Sequence, residues 1–401
     1  MTRSRGRVAR ALGEAEARAG LGAFWALDRR GALEAADGVE APGPLAGVPV
    51  AVKDLFDQAG LPTTGGLPGE VPPARRDAEA VARLRRAGAV PIGKTAMDPL
   101  GCTTGGQAPG FPPCLNPIDP ALSPGGSSSG SAVAVAAGIV PLALGTDTAG
   151  SARIPAAYCG IVGFKPTLDC FPREGVLTVM PSFDTPAVLG ESVERCAQAY
   201  GALSGEPAPR PLGRPPVVAL LGDLLDESDP AVERACRAAV EALGRDAVEV
   251  EDVPLDWRPD GLGVALAHEL ATTWKERVDR EPDRFTGVIR ETIAFGSARG
   301  PDEHRRVMDR LREDRDALTR RWARFDAVVC PTVPIPAPAR EDESVRVSTR
   351  FTRIFNALDW PALSIPIAVE GVAPVALQVA APPSRLGGLF DVARRAEWAG
   401  R

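Results

Sequence analysis

The chain has 401 residues, a hydrophobic fraction of 44% and a formal net charge of -6. It is long enough for one large α/β domain or two ordinary ones. The acidic balance argues against a nucleic-acid surface, which carries a basic stripe. No run of 18 or more apolar residues indicates a membrane span, and the N-terminal stretch lacks the apolar core of a secretory signal. Seven scattered cysteines form neither a disulfide framework nor paired CxxC metal spacing, so a reducing cytoplasm is the expected setting.

In chain order, residues 5–38 read as helical and Ala/Arg-rich, with Phe24, Trp25 and Leu27 as an apolar patch. "VPVAV" is a short buried strand ending at Lys53, and 77–90 is an amphipathic helix turning Val81, Leu84 and Ala87 inward. "AVPIGKT" is a second strand, closing at Lys94. A Gly/Pro-rich loop over 101–126 leads into "SPGGSSSGSAVAVAAG", then "GTDTAGSARIPAAYCGIVGFKP". Beyond a surface connection at 205–215 come a buried strand "PVVALLGD", a helix at 229–244 and a strand near 247–251. Residues 258–325 are mostly helical and charged, and contain both histidines, His268 and His304. "FDAVVCPTVPIPAP", "FNALDWPALSIPIAV" and "PVALQVAAPP" supply the last strands before a final helix. Alternating strand and helix signals predict a large mixed, mostly parallel sheet covered on both sides by helices. Nothing forces a two-domain split, so residues 1–401 are read as one domain.

The Gly/Ser run could be a linker, a phosphate cradle or the seat of a nucleophile. Its flanks are too apolar for a flexible linker, and no lysine follows the glycines as a phosphate loop requires. A nucleophilic serine ordinarily needs a histidine base. Both histidines sit in charged helical segments, where surface or packing roles are expected. Of 46 basic residues only Lys53, Lys94, Lys165 and Lys275 are lysine. A position kept as lysine in such a chain suggests a need to lose a proton, which a guanidinium cannot do. Lys53, after a buried strand, is the candidate base, since desolvation lowers an amine's pKa. A salt-bridged lysine at a strand end is the plainer alternative, and neighbouring Asp54 belongs to its surroundings.

Lys53 in "GVPVAVKD", the serines of "GGSSSGSA" and the serine of "GTDTAGS" resemble the amidase signature family of serine hydrolases. The spacings, 74 residues from Lys53 to Ser127 and 24 from there to Ser151, fit it. So do "GAVPIGKTAMD", "CLNPIDP" and "FNALDWPALSIPI" in the same order. The likeness is dense over 43–186 and again over 325–383, and thin between, and 187–325 is the region expected to shape the acyl pocket. The resemblance implies a Ser-Ser-Lys triad: Ser151 as nucleophile, Ser127 as relay and Lys53 as base, with a cis peptide before Ser127. It implies an oxyanion hole of backbone N–H groups from Thr148, Ala149, Gly150 and Ser151, Ala149 standing where many members have glycine. Ser128 is expected to help hold Lys53, Ser129 and Ser131 to cap the following helix, and Asp147 to orient the nucleophile loop. Arg153 is either structural or a substrate-facing cation. Cys159 is expected to be a buried small residue, and Lys94 and Lys165 scaffold residues.

The implied function is an amidohydrolase that cleaves a small carboxamide through an acyl-enzyme, with no metal or organic cofactor. Alternatives are an allophanate-hydrolase-like enzyme acting on urea-type carboxylates and the glutaminase component of a tRNA-dependent amidotransferase, which would require partner proteins. A degenerate amidase-fold binding protein is a third, against which the intact Lys53, Ser127 and Ser151 speak. The expected partner is a small-molecule amide; a homodimer is left open.

Overall fold

The computed structural model describes residues 2–39, 42–246, 248–341, 348–367 and 373–399. Its strands are β1 (Phe24–Leu27), β2 (Pro49–Lys53), β3 (Val90–Thr95), β4 (Leu142–Thr146), β5 (Val162–Lys165), β6 (Pro186–Gly190), β7 (Val217–Leu220), β8 (Glu249–Asp252), β9 (Ala327–Pro331), β10 (Ala362–Ile367) and β11 (Val375–Ala380). The helices of the first half are α1 (Arg3–Ala17), α2 (Arg29–Asp37), α3 (Glu79–Arg86), α4 (Ser129–Ala136), α5 (Arg153–Tyr158) and α6 (Val193–Ser204). Those of the second half are α7 (Gly222–Asp226), α8 (Pro230–Arg245), α9 (Leu262–Arg280), α10 (Gly287–Ser297), α11 (Pro301–Arg321), α12 (Thr352–Ala357) and α13 (Leu386–Ala399).

All eleven strands join one mixed sheet in the order β1-β3-β2-β4-β6-β5-β10-β11-β9-β7-β8. Parallel pairing is concentrated in two blocks, β3-β2-β4 and β9-β7-β8, and the intervening neighbours are antiparallel. The antiparallel share is therefore larger than the alternation of strand and helix signals suggests. The reason is local: β10 and β11 pair directly with each other, and no helix separates β5 from β6, so neither link makes a parallel crossover.

β2 shows how the sequence sets the layers. Every residue in it is buried, as expected for a strand paired on both edges and covered on both faces. Val50 and Val52 belong to one apolar cluster and Ala51 to another on the opposite face, which follows from the two-residue period of a strand. Lys53 sits at its carboxyl end, in register with Thr95 of β3. Ligand sites in open α/β sheets form at such carboxyl ends.

The apolar patch Phe24, Trp25 and Leu27 is not helical: it forms β1, antiparallel to β3 at the sheet edge. Four half-buried residues are too few to show a strand period, and Asp28 starts α2 directly after them by accepting the Gly31 N–H at 3.0 Å. The helix expected at 229–244 is α8, capped by Asp229, which accepts from Ala231 N at 2.8 Å. The strand expected near 247–251 is β8, and residue 247 lies outside the described residues; so do the last two positions of "FNALDWPALSIPIAV". Among the described residues no helix is long and apolar enough to cross a membrane, and no group of three or more His, Cys, Asp and Glu could hold a metal ion.

Candidate active site

Three chain segments meet at the carboxyl ends of β2 and β4. The first is Lys53 itself, fully buried. Its Nζ donates to Ser127 Oγ and Ser128 Oγ, each at 2.9 Å, and to Thr146 Oγ1 at 2.7 Å. Burial lowers its pKa to about 7, against the pull of the Asp98, Asp147 and Asp184 carboxylates. An amine poised there exchanges its proton near neutral pH. Asp54 plays no part in this: it forms an ion pair with Lys94 at 2.8 Å, both side chains buried. Lys94 is thus a scaffold lysine.

The second segment is the Gly/Ser run. The peptide between Gly126 and Ser127 is cis. Ser128 is the residue before α4, and its Oγ also donates to Thr146 O at 3.2 Å. Ser129 and Ser131 do not cap the helix as expected. Ser131 Oγ instead lies 2.8 Å from Thr95 Oγ1 and donates to Leu144 O at 2.8 Å, tying α4 to β3 and β4. Every residue from Ser129 to Val135 is buried, so small side chains are what let this helix sit against the sheet. A Cβ on Gly130 would stand 2.4 Å from Ala23 O and 2.6 Å from Ala96 N.

The third segment is the turn from Thr146 to Arg153. Asp147, fully buried, accepts from the backbone N–H groups of Gly150 at 2.9 Å and of Ala152 and Arg153 at 3.3 Å each. It therefore fixes the loop that carries Ser151. Burial alone would raise its pKa, but the Arg153 guanidinium outweighs that and holds the carboxyl far below its usual range. Arg153 Nε and Nη2 take the two Asp147 oxygens at 2.8 and 2.7 Å. Nη1 donates to Thr352 O at 2.9 Å and Gln378 Oε1 at 2.6 Å, and Nη2 also to Asn356 Oδ1 at 2.6 Å. A guanidinium has five N–H donors, and all five are spent inside the protein. Arg153, fully buried, thus holds the nucleophile-bearing turn to α12 and β11.

Exposure falls along the candidate relay: Ser151 keeps 6%, Ser127 1% and Lys53 none. The site thus opens at Ser151 and closes at the lysine. Ser128 N donates to Ser151 O at 3.0 Å, joining the second and third segments. Among the described residues no hydrogen bond links the Ser127 and Ser151 hydroxyls. Gly150 has φ +127°, and a Cβ there would meet Thr352 Oγ1 at 2.2 Å, so only glycine fits. Its amide, expected as an oxyanion donor, is bonded to Asp147. The carboxylate that anchors the loop has claimed that amide.

Several site residues escaped the sequence reading. Thr146 lies inside "GTDTAGS", where its spacing could have flagged it. Asp98 ends "GAVPIGKTAMD" and is fully buried; it accepts from Thr103 Oγ1 at 2.8 Å and from the amides of Gly105, Gly106 and Gln107. Asp184 accepts from Thr148 Oγ1 at 2.9 Å and from Val179 N and Met180 N at 2.7 Å each, and burial raises its pKa to about 6. No hydrogen bond among the described residues joins either histidine to Lys53, Ser127 or Ser151: their rings stack at 4.9 Å, and His304 Nε2 is 3.1 Å from Oε1 of Glu269, whose Oε2 accepts from Ser182 N at 2.9 Å. Cys159 is buried with its thiol pKa pushed well up by desolvation, and Lys165 is a buried scaffold lysine on β5.

Residues 9–385 match the amidase family. The chain is 35% identical to the A-type component of the glutamyl-tRNA(Gln) amidotransferase of Thermus thermophilus, over 90% of this chain and 86% of that one. It is 36% identical to an amidase of Pseudomonas putida, over 81% and 75% respectively. Among solved structures, a crystal structure of an amidase superposes with a TM-score of 0.89 at 32% identity, covering 99% of this chain and 96% of that one.

Proposed function

Because the chain belongs to the amidase signature family and is a hydrolase of amide C–N bonds, we propose that it cleaves a small carboxamide through an acyl-enzyme on Ser151. The observation that carries this reading is the buried Lys53 amine, its pKa near 7, within hydrogen-bond distance of Ser127. In the neutral form Lys53 accepts the Ser127 proton while Ser127 takes that of Ser151. Ser151 Oγ then bonds to the carbonyl carbon, and the carbonyl oxygen becomes an oxyanion facing the Thr148, Ala149 and Ser151 amides. Donors fixed in advance at such a position contribute roughly 3–4 kcal/mol each to the transition state. Collapse breaks the C–N bond, and the relay returns a proton to the departing nitrogen, which leaves as ammonia or an amine. Water, deprotonated by the same relay, releases the carboxylic acid.

The likeness to an amidotransferase component favours a second reading, a glutaminase half-reaction on the same triad that serves a partner protein. A screen of ammonia release from small aliphatic, aromatic and urea-type amides, with glutamine in the same panel, separates the two. Turnover of a simple amide by the isolated chain supports the first. Turnover of glutamine alone, dependent on an added partner, supports the second. No ammonia from any of them, with folded protein, would count against both.

A further inference from the structure

One face of α11 borders a cavity. Met308, Leu311, Arg312 and Arg315 recur at helical spacing, so they share one side of that helix. They line a cavity of about 320 Å³, at the lower end of small-ligand pockets. Leu311 is buried, whereas the Arg312 and Arg315 side chains are 59% and 38% exposed, so the two guanidinium groups stand at the open side of the cavity rather than in the core. Arg173 brings a third from the opposite wall, and Ser182, Thr185 and Asn356 add polar side chains.

The charges in this cavity are poorly answered from within. The one acidic lining residue, Asp359, accepts the Leu168 N–H at 2.8 Å and lies close enough to buried Lys165 to raise that lysine's pKa against its desolvation. Arg173 donates from Nη1 to the carbonyl of lining residue Pro181 at 2.6 Å, and the carboxylate partners of the three arginines are Asp169, Asp309 and Asp316, whose side chains are 76%, 53% and 64% exposed. Ion pairs that open to water contribute little, so a competing anion displaces them at small cost. The Arg315–Asp316 contact is already loose at 3.7 Å. Neither Ser151, Ser127 nor Lys53 lines the cavity. The floor nonetheless adjoins the nucleophile loop, because Asn356 Nδ2 donates to Asp147 O at 3.0 Å and Asp147 N donates to Thr185 O at 2.8 Å.

We propose that this cavity is a binding site, separate from the reaction centre, for a small anion bearing a phosphate or carboxylate group. Planar guanidinium forks suit either group. The site stands on binding alone and does not rest on the proposed amide chemistry.

The test is thermal unfolding of the whole chain in sodium phosphate, in sodium succinate and in sodium chloride at matched ionic strength. A ligand that binds only the folded state raises the melting temperature with its concentration. The melting temperature should climb with phosphate, succinate or both, but not with chloride, and the responding anion identifies the group. Arg312→Gln/Arg315→Gln should weaken the apparent affinity by roughly tenfold or more, as expected for losing charged hydrogen bonds, and Arg312→Gln alone by less. Arg310→Gln, on the same helix but outside the cavity, should respond like the parent. Phosphate also stabilises proteins by exclusion from their surface, an effect the double variant would retain in full. An undiminished response in the arginine variants, or no anion acting beyond chloride on the parent chain, overturns the site.

Discussion

Lys53 Nζ lies 2.9 Å from Ser127 Oγ, with the lysine fully buried and the serine almost so. An amine held there without a bound carboxylate is costly to charge, and its partners are three hydroxyls rather than an acid. That relationship sets the pH behaviour. The pKa is lowered to about 7, mainly by desolvation. Below it Lys53 is an ammonium and cannot accept a proton; above it the neutral base accumulates. kcat/KM should therefore rise about tenfold per pH unit below roughly pH 7 and level off above it. A pH–rate profile checks this, and a rate flat from about pH 5 to 9 would show that no such group is needed.

Ser151→Ala removes one oxygen from a nearly buried position. The fold should persist by circular dichroism, while ammonia release falls on the order of 10⁵–10⁶-fold, as for other nucleophile deletions. Retained turnover would move the nucleophile elsewhere.

Arg153→Ala should act on stability as well as activity. It leaves the Asp147 carboxylate buried without its cation, a change that typically costs about 3–5 kcal/mol. Arg153→Lys should rescue little, since an ammonium cannot span both Asp147 oxygens together with Thr352, Asn356 and Gln378. Urea unfolding measures both. A near-parental unfolding midpoint for Arg153→Ala would mean that the arginine is not structural.

Gly150→Ala places a methyl group against the Thr352 hydroxyl at a backbone φ that side chains rarely adopt. The loop must shift to admit it, and with it the Ser151 hydroxyl. Activity should fall at least tenfold, since displacements of about 1 Å can cost that and more. Turnover of the folded variant gives the answer, and parental activity would show that the loop tolerates another conformation.

How much of this was legible beforehand depended on sequence distance. Lys53 stood out by itself as a lysine kept after a buried strand in an arginine-rich chain, whereas the parts expected of Ser127 and Ser151, and the cis peptide before Ser127, came from the resemblance of their motifs to the amidase signature family. The buried strands β2 and β3 showed by their apolar runs. β1 did not, because four half-buried residues carry no period. The ties that hold Asp147 and Arg153 were also hidden: Thr352, Asn356 and Gln378 are about two hundred residues away in sequence, at separations of 199, 203 and 225 from Arg153. Only the neighbouring strands and α12 bring them in. The bond from the Gly150 amide to Asp147 was hidden for a different reason: the two are only three residues apart, and the conformation of the loop, not sequence distance, decides it.

The central claim is that Lys53 acts by losing a proton, and one substitution isolates it. Lys53→Arg keeps the charge and most of the length but holds its proton at any working pH. Amide turnover of Lys53→Arg, Lys53→Ala and Lys275→Arg should be compared across about pH 6–10, with circular dichroism confirming the fold. Lys275 is half exposed and pairs with Asp279 one turn along α9, so Lys275→Arg should keep the parental rate. Lys53→Arg should lose about 10²–10⁴-fold, nearly as much as Lys53→Ala, as expected on removing a general base. A folded Lys53→Arg protein working near the parental rate would contradict the account.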